Sequence, residues 1–347
     1  MKTKERYHDW SFFSHLPSKE KQVDESHLNE FFRTMFERQE VWYKRFILKE
    51  DKPWTQDQYL ADYKFTNVYR ELDNHSQYLI KNVLIPEDTN ALNLVWKIFL
   101  FRIFNQPSTF SYIEMTSENP DWVKSGFCNW AKFNKDEFAR YISEVRECGQ
   151  NPYTSAYLIN SMACPGMKRD DCYTKVVIPT IHKNIPNIIK KFKEVKEAKE
   201  FAKYLESLPG VGGFVAHELF QDLTYIDRYC EDKFHGLFPF NQNDFTNVGP
   251  GAEVGIRLIF PDRTTSADKL LAIYELREIG KDALEGIGQF KYLVWDREER
   301  KYGVDPNGIK QDITLHQIEM WLCEYQKYWK MTIGVGKQRS KFKPRTK

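Results

Sequence analysis

The chain of 347 residues carries neither of the common nucleotide-binding fingerprints. There is no G-x-x-x-x-G-K-S/T run, because Gly336-Lys337 is followed by Gln338, so a P-loop for nucleoside triphosphates is excluded. Gly249, Gly251 and Gly255 have the wrong spacing for a dinucleotide turn and lie in helical surroundings. No G-x-S-x-G elbow supports a serine hydrolase. The eight histidines are scattered, with no H-E-x-x-H, so no metal site is assigned. The six cysteines show no C-x-x-C spacing and no regular framework. The start, Met-Lys-Thr-Lys-Glu, has no apolar h-region. The longest apolar stretch, 92–104, is short and interrupted by Asn93, Lys97 and Arg102. These absences predict a soluble, reduced, intracellular protein: cytoplasmic, host-cytoplasmic if viral, nuclear if eukaryotic.

Net charge is also lacking, at +2, yet it is unevenly spread. Residues 337–347 hold six basic side chains and no acidic one, so the remainder is net negative. A basic tail suits a polyanion, and equally a solvated end. Any nucleic-acid binding by the body must then rest on a local site rather than a global field.

Aromatic residues make up 15% of the chain, which indicates a folded protein. Residues 1–23 lack a sustained period and read as an irregular arm, followed by one mainly α-helical domain over 24–336. Asp24 caps a first helix whose apolar face runs from Leu28 to Phe46. Thr55 and Gln58 form a capping-box pattern for a second helix reaching toward Asp73, which caps a third. Residues 91–104 read as a buried central helix, 135–148 as a helix, and 156–162 as a short apolar helix. A lysine-rich amphipathic helix is expected over 186–207 and an irregular insertion over 224–243. A helix opens at Gly249-Pro250-Gly251, and another spans 270–284. Residues 292–295 read as a short strand or a buried turn. Thr314 and Gln317 cap a final helix with the stripe Leu315, Ile318, Leu322, Tyr325 and Trp329.

The most informative stretch is Leu208-Pro209-Gly210-Val211-Gly212, set between helical patterns over 201–208 and 215–223. Free N–H groups at Gly210, Val211 and Gly212 could hold a phosphate; alternatively the glycines merely cap a helix. Asp244 follows 32 residues after Gly212, ahead of the glycine turn. It reads either as a helix cap or as an ionised carboxylate able to take a proton.

The hairpin pattern resembles the helix-hairpin-helix DNA glycosylases, which implies that Gly210, Val211 and Gly212 grip a DNA phosphate. In members that also cut the backbone, a lysine stands where this chain has Phe214, so Schiff-base lyase chemistry is not expected. The hairpin-to-aspartate spacing of that superfamily is shorter than the distance to Asp244 and fits Asp232 better, whereas Asp244 has the better local context. A broader resemblance covers residues 28–340. It is carried by Phe32-x-x-x-Phe36-Glu37-Arg38, Pro53-Trp54-Thr55, Phe65-Thr66-Asn67-Val68-Tyr69-Arg70-Glu71-x-Asp73, Gly249-Pro250-Gly251-Ala252 and Leu322-Cys323-Glu324-x-x-Lys327-Tyr328. Together these resemble the α-glutamyl/putrescinyl thymine pyrophosphorylases of DNA hypermodification, a group that includes the helical domain of 5-hydroxymethyluracil DNA kinases.

That resemblance implies a glycosylase-like fold used as a transferase. A thymine-derived base carrying a 5-methylene pyrophosphate is flipped out of DNA, and an amine, from an amino acid or polyamine, displaces the pyrophosphate. Asp244 or Glu71 would take the proton. Arg38, Trp54, Asn67, Arg70, Gly249, Gly251, Ala252 and Lys327 would bind substrate. No cofactor is implied, and a divalent metal on the leaving pyrophosphate stays open. The partners would be DNA, the amine and an upstream 5-hydroxymethyluracil DNA kinase. The residues alone leave bland alternatives: Arg70 and Glu71 paired within a structural network, Trp54 in the core, Glu324 and Lys327 as an exposed ion pair. They also leave two rival functions, a monofunctional glycosylase for a modified pyrimidine and a non-catalytic DNA-binding partner of a base-modifying enzyme.

Overall fold

Asp24 opens the first helix as expected: its carboxylate accepts from the His27 N–H (3.0 Å), satisfying a donor that the first turn leaves free. The computed structural model describes residues 22–86, 90–110, 127–154, 164–230, 232–305, 312–336 and 341. Residues 1–21 of the expected arm over 1–23, the short helix at 156–162 and all of the basic tail over 337–347 except Lys341 lie outside these.

The architecture is mainly helical and is organised about two apolar clusters. The first is built from the middle of the chain. Helix α4 (Ala91–Phe104) is its axis, buried on nearly every side and ended by Asn105 in the left-handed conformation (φ 44°). Around it pack α3 (Asn74–Leu79), α5 (Lys135–Glu147), α6 (Ile178–Glu194), α7 (Ala198–Glu206), α8 (Gly213–Thr224) and α9 (Ile226–Tyr229). The second cluster joins the two ends of the described chain: α1 (Glu25–Trp42), α10 (Pro250–Ile259), α11 (Ser266–Ile287) and α12 (Leu315–Thr332). A two-stranded antiparallel sheet, β1 (Tyr292–Asp296) and β2 (Lys301–Asp305), pairs Tyr292 with Asp305 and Asp296 with Lys301. Among the described residues no helix is long and apolar enough to cross a membrane.

Several expectations are corrected. The Thr55–Gln58 box does not form. Asp57 caps α2 (Gln58–Asp62) instead, accepting from Tyr59 and Leu60, while the Thr55 hydroxyl is drawn to Glu37 on α1. The chain from Tyr63 to Asp73 is a loop with one 3-10 turn rather than a continuation of that helix. Asp73 does precede α3, yet its carboxylate turns away to Asn67 and Arg70. The lysine-rich segment forms two helices, α6 and α7, parted at residues 195–197; α6 keeps Pro186 on its exposed side. Phe46 leaves the apolar face of α1 and is 53% exposed, because residues 43–47 widen into a π turn that rotates the register. Cys164 and Cys172 are joined in a disulfide rather than reduced. The turn at Gly166 (φ 78°) brings their Cα atoms to 5.6 Å, within disulfide reach.

Helices α10 and α12 approach closely enough to demand glycine. A Cβ at Gly255 would stand 2.6 Å from the Leu322 carbonyl oxygen, and one at Gly251 would stand 2.9 Å from Cys323 Sγ. Alanine is normally favoured over glycine inside a helix by about 1 kcal/mol. Gly255→Ala is expected to reverse that sign and destabilise by about 1–3 kcal/mol through overpacking, read as a lower denaturant midpoint in equilibrium unfolding.

Candidate functional site

The two clusters meet across a layer of buried charge. Arg102, alone among hydrophobic neighbours on α4, makes a bidentate pair with Asp222 of α8. Its third nitrogen reaches Glu218, one turn earlier on α8, at 3.4 Å. Glu218 is also met by Arg70 (3.4 Å), whose Nε holds Asp73 at 2.8 Å. Asp73 accepts from both the backbone and side-chain amide of Asn67, and Asn67 Oδ1 accepts from Arg38 (2.7 Å). Arg38 also donates to the Thr66 carbonyl, while the Thr66 N–H donates to Glu324, itself paired with Lys327. One relay of alternating charge therefore runs from the core of the first cluster to the surface of α12. Burial pushes the Arg38 guanidinium down to about 10, opposed by Asp73 and Glu324.

The N-terminus of α10 lies against this relay. The Gly249 N–H donates to Glu319 Oε1 (3.3 Å), and Glu319 is only 5% exposed. Burial drives its carboxyl up to about 7; the Gly249 N–H and Arg70 act in the opposite direction. Cys323 follows at helical spacing and donates to Glu319 (3.8 Å); burial and the Glu319 charge push its thiol well up. Met320, between them, touches Arg70 through sulfur (3.5 Å). Glu319, Cys323 and Lys327, four residues apart, share one face of α12, and Glu319 and Cys323 meet Gly249 and Gly251. Ala252 is fully buried on the next position of α10. Lys327 also lines a recess of about 270 Å³ with Lys64, Phe65, Lys330 and Val335.

The hairpin adjoins the same place. α7 and α8 are joined by Ser207–Gly212, with Gly210 in the left-handed region (φ 79°) and Gly212 as the N-cap of α8 without a side-chain cap. The Val211 side chain is buried and its N–H donates to the Leu208 carbonyl (3.0 Å), so the free donor expected at Val211 is spent inside the turn itself. The Asn247 side chain, two residues before Gly249, donates to the Gly213 carbonyl (3.2 Å) and ties the hairpin to the start of α10. Phe214 is 52% exposed.

The expected site residues thus divide. Arg38, Asn67, Arg70, Gly249, Gly251, Ala252 and Lys327 gather about α12. Glu71 lies behind them, fully buried, paired with Arg228 (2.8 Å) and accepting from Gln242 (3.3 Å). Gln242 belongs to the loop that carries Asp244, so the upstream and downstream motifs do meet. Asp244 does not cap α10, whose N-cap is Gly249 with no side-chain cap; its carboxylate accepts from the Asn241 N–H (2.7 Å), and its charge helps raise the Tyr274 phenol. Trp54 stands apart from both apolar clusters on a surface loop, half-buried, with Arg45 and Lys52 over its ring. Asp232 is exposed and pairs with Arg297. Among the described residues no group of three or more metal-ligating side chains gathers to hold a metal ion.

Glu218, Glu319, Arg102, Asp222 and Gln242 escaped sequence reasoning. A signal existed for Arg102 and the α8 pair, since charges inside apolar helical runs must find partners. Glu319 gave a weaker one, its i, i+4, i+8 alignment with Cys323 and Lys327.

Two buried histidines sit beside the relay. His217 and His316 face each other (3.2 Å), and burial depresses both, His217 to about 4, keeping the pair neutral at physiological pH.

Glu319 has a folded-state pKa above its unfolded one, so the folded protein holds the extra proton between about 4.5 and 7. Its contribution to stability is full below the unfolded value and falls as pH rises through about 7. Glu319→Gln keeps an acceptor for Gly249 and is expected to remove this loss, worth at most roughly 3 kcal/mol. Urea unfolding from pH 5 to 8 should show the variant gaining on the parent as pH rises; a constant difference would refute the assignment.

Residues 25–337 match the family described as 5-hmdU DNA kinase, helical domain. A 5-hmdU DNA kinase of Bacillus phage SP10 is 27% identical over 312 residues, covering 86% of this chain and 44% of that protein. The chain therefore spans less than half the length of this relative. No solved structure matches the chain. With the match running across both apolar clusters and the charged layer between them, the chain belongs to the family of the 5-hmdU DNA kinase helical domain.

Proposed function

We propose that this protein is a DNA base-hypermodification enzyme acting on a 5-substituted uracil flipped from DNA, with a glycosylase-like hairpin gripping the backbone. The observation that carries the reading is the convergence of Arg70, the α10 N-terminus and the hairpin across α12. A leaving pyrophosphate needs a cation and backbone N–H donors at one place, and a flipped base needs the backbone held beside it.

In the proposed reaction the amine nitrogen bonds to the 5-methylene carbon, the carbon–oxygen bond breaks, and pyrophosphate departs with the electron pair. The proton lost by the amine passes to a carboxylate. Asp244 is the assigned acceptor, on the loop entering α10. Glu71 positions that loop through Gln242. Arg70 and the start of α10 at Gly249, Gly251 and Ala252 meet the pyrophosphate, which takes the Gly249 N–H from Glu319 on binding, with Lys327 at the far end of the same α12 face. Arg38 and Asn67 hold the loop that bears Arg70. Glu319 joins them as an additional proton-transfer group, since a carboxyl titrating near neutrality is suited to giving and taking protons at physiological pH. Gly210 and Gly212 supply the DNA-phosphate grip, with Val211 closing the turn onto Leu208, and Trp54 lies to one side of this centre.

A second reading is favoured by one fact, that the matching part of the phage relative is less than half of a protein named as a kinase. The helical domain would then recognise the base for chemistry performed elsewhere. This chain has no P-loop motif to phosphorylate the base by that route.

Incubation with DNA bearing 5-pyrophosphooxymethyl-deoxyuridine and a pool of amines, followed by nucleoside mass spectrometry, decides between them. Pyrophosphate release with an amine adduct is expected, and Asp244→Asn should lower adduct yield by about a hundredfold or more. The transferase reading fails if Asp244→Asn, Glu71→Gln and Arg70→Met all leave the yield unchanged. Abasic sites would instead identify a glycosylase, and DNA binding with no product would identify a recognition module.

A further inference from the structure

The segment that follows α1 forms a feature that the centre about α12 does not use. Residues 43–47 end in a turn, Lys49 takes a left-handed conformation (φ 57°), and the chain doubles back so that Trp54 lies beside Arg45. The Trp54 indole N–H donates to the Glu50 carbonyl (2.7 Å) and the Lys44 ammonium donates to the Trp54 carbonyl (3.3 Å), which fixes the loop. The Arg45 guanidinium carbon lies 4.6 Å from the Phe46 ring centre and 5.1 Å from that of Trp54. Lys52 stands 5.3 Å from the Trp54 ring. Phe46, Arg45, Trp54 and Lys52 therefore alternate ring and cation, with Phe46 53% and Leu48 47% exposed at the outer edge.

An exposed apolar ring costs solvation, and burying it alone would answer that cost. The loop carries Lys44, Arg45, Lys49 and Lys52 against Glu50 and Asp51, and this excess of positive charge disfavours a plain apolar partner, which would remove water from it without adding negative charge. Unpaired nucleotides meet both demands at once: a base stacks on an aromatic face and its phosphate neutralises a neighbouring cation. The loop also borders the main site, since the Arg45 charge acts on Arg38, which holds the carbonyls of Thr66 and Phe65.

We infer that the Phe46–Arg45–Trp54 stack is a second nucleic-acid contact, holding unpaired nucleotides of the strand that flanks the base presented to the α12 centre. This rests on the DNA-directed reading above. It differs from the hairpin contact in kind, since the hairpin offers backbone N–H groups and the stack offers rings.

Fluorescence anisotropy of the full chain with labelled oligothymidylate, a duplex of equal length and a polyglutamate peptide tests it. The parent is expected to bind oligothymidylate, with Phe46→Ala weakening it by about tenfold and Phe46→Trp restoring it. Lys49→Ala combined with Lys52→Ala should flatten the salt dependence by a slope of about 1.4, two phosphate contacts on a single strand. Because these side chains are exposed, unchanged circular dichroism is expected in all variants. Parent-like oligothymidylate binding by both variants would overturn the stack while leaving DNA recognition intact. Equal binding of polyglutamate and oligothymidylate, indifferent to Phe46, would overturn it in favour of an acidic protein partner. Failure of the parent to bind either nucleic acid would overturn the DNA-directed reading and the stack together.

Discussion

Everything about α12 depends on a charge placed where water cannot reach it. Arg102 is 2% exposed in the last turn of the most apolar helix of the described chain, and such a guanidinium is tolerable only when its donors are met. Asp222 meets two of them and Glu218 a third. Glu218 then holds more negative charge than Arg102 alone answers, and Arg70 supplies the remainder from the other cluster. The first cluster thereby dictates where the Arg70 loop sits. The relay does not stabilise cheaply, for an apolar substitute of the same shape would often do as well. What it confers is a fixed relation between α8, the 65–73 loop and α12.

The second constraint is steric. Gly251 and Gly255 admit α12 to a distance that no side chain would allow, and Gly249 leaves room for the Glu319 carboxylate. The glycines of the G-P-G-A motif are therefore explained by packing. Close approach is what brings Glu319 and Cys323 onto the start of α10, so that the helix terminus is faced by groups from α12 rather than by bulk water.

Much of this was readable in residue order. The Asp24 cap, the buried helix over 91–104, the two-glycine hairpin, the helix opening at Pro250 and the Thr314–Gln317 box all rest on local spacing, and local spacing is what a sequence displays. The misreadings share a different cause. Thr55 gives up its capping role because Glu37, eighteen residues away, competes for its hydroxyl. Residues 186–207 read as one helix because charge and apolar period continue across a break that the turn onto α7 imposes. Phe46 drops from its stripe because a π turn adds a residue to the helical repeat. Glu319 is invisible as a site residue until α10 lies against it. In each case the deciding partner is distant in sequence.

The same logic bears on Glu319 itself. A carboxylate at a helix N-terminus is ordinarily stabilised as the anion by the macrodipole. Here burial works against the dipole and prevails, leaving the group near neutrality. The balance is fine because both influences come from one contact: the approach of α12 that gives Glu319 the Gly249 N–H also removes its water. A polyanion arriving at the α10 terminus would compete for that N–H and add like charge, favouring the protonated form. A departing anion would do the reverse. Proton uptake and release at Glu319 would thus be coupled to occupancy of the helix terminus, through the same glycine-permitted contact that holds the two helices together.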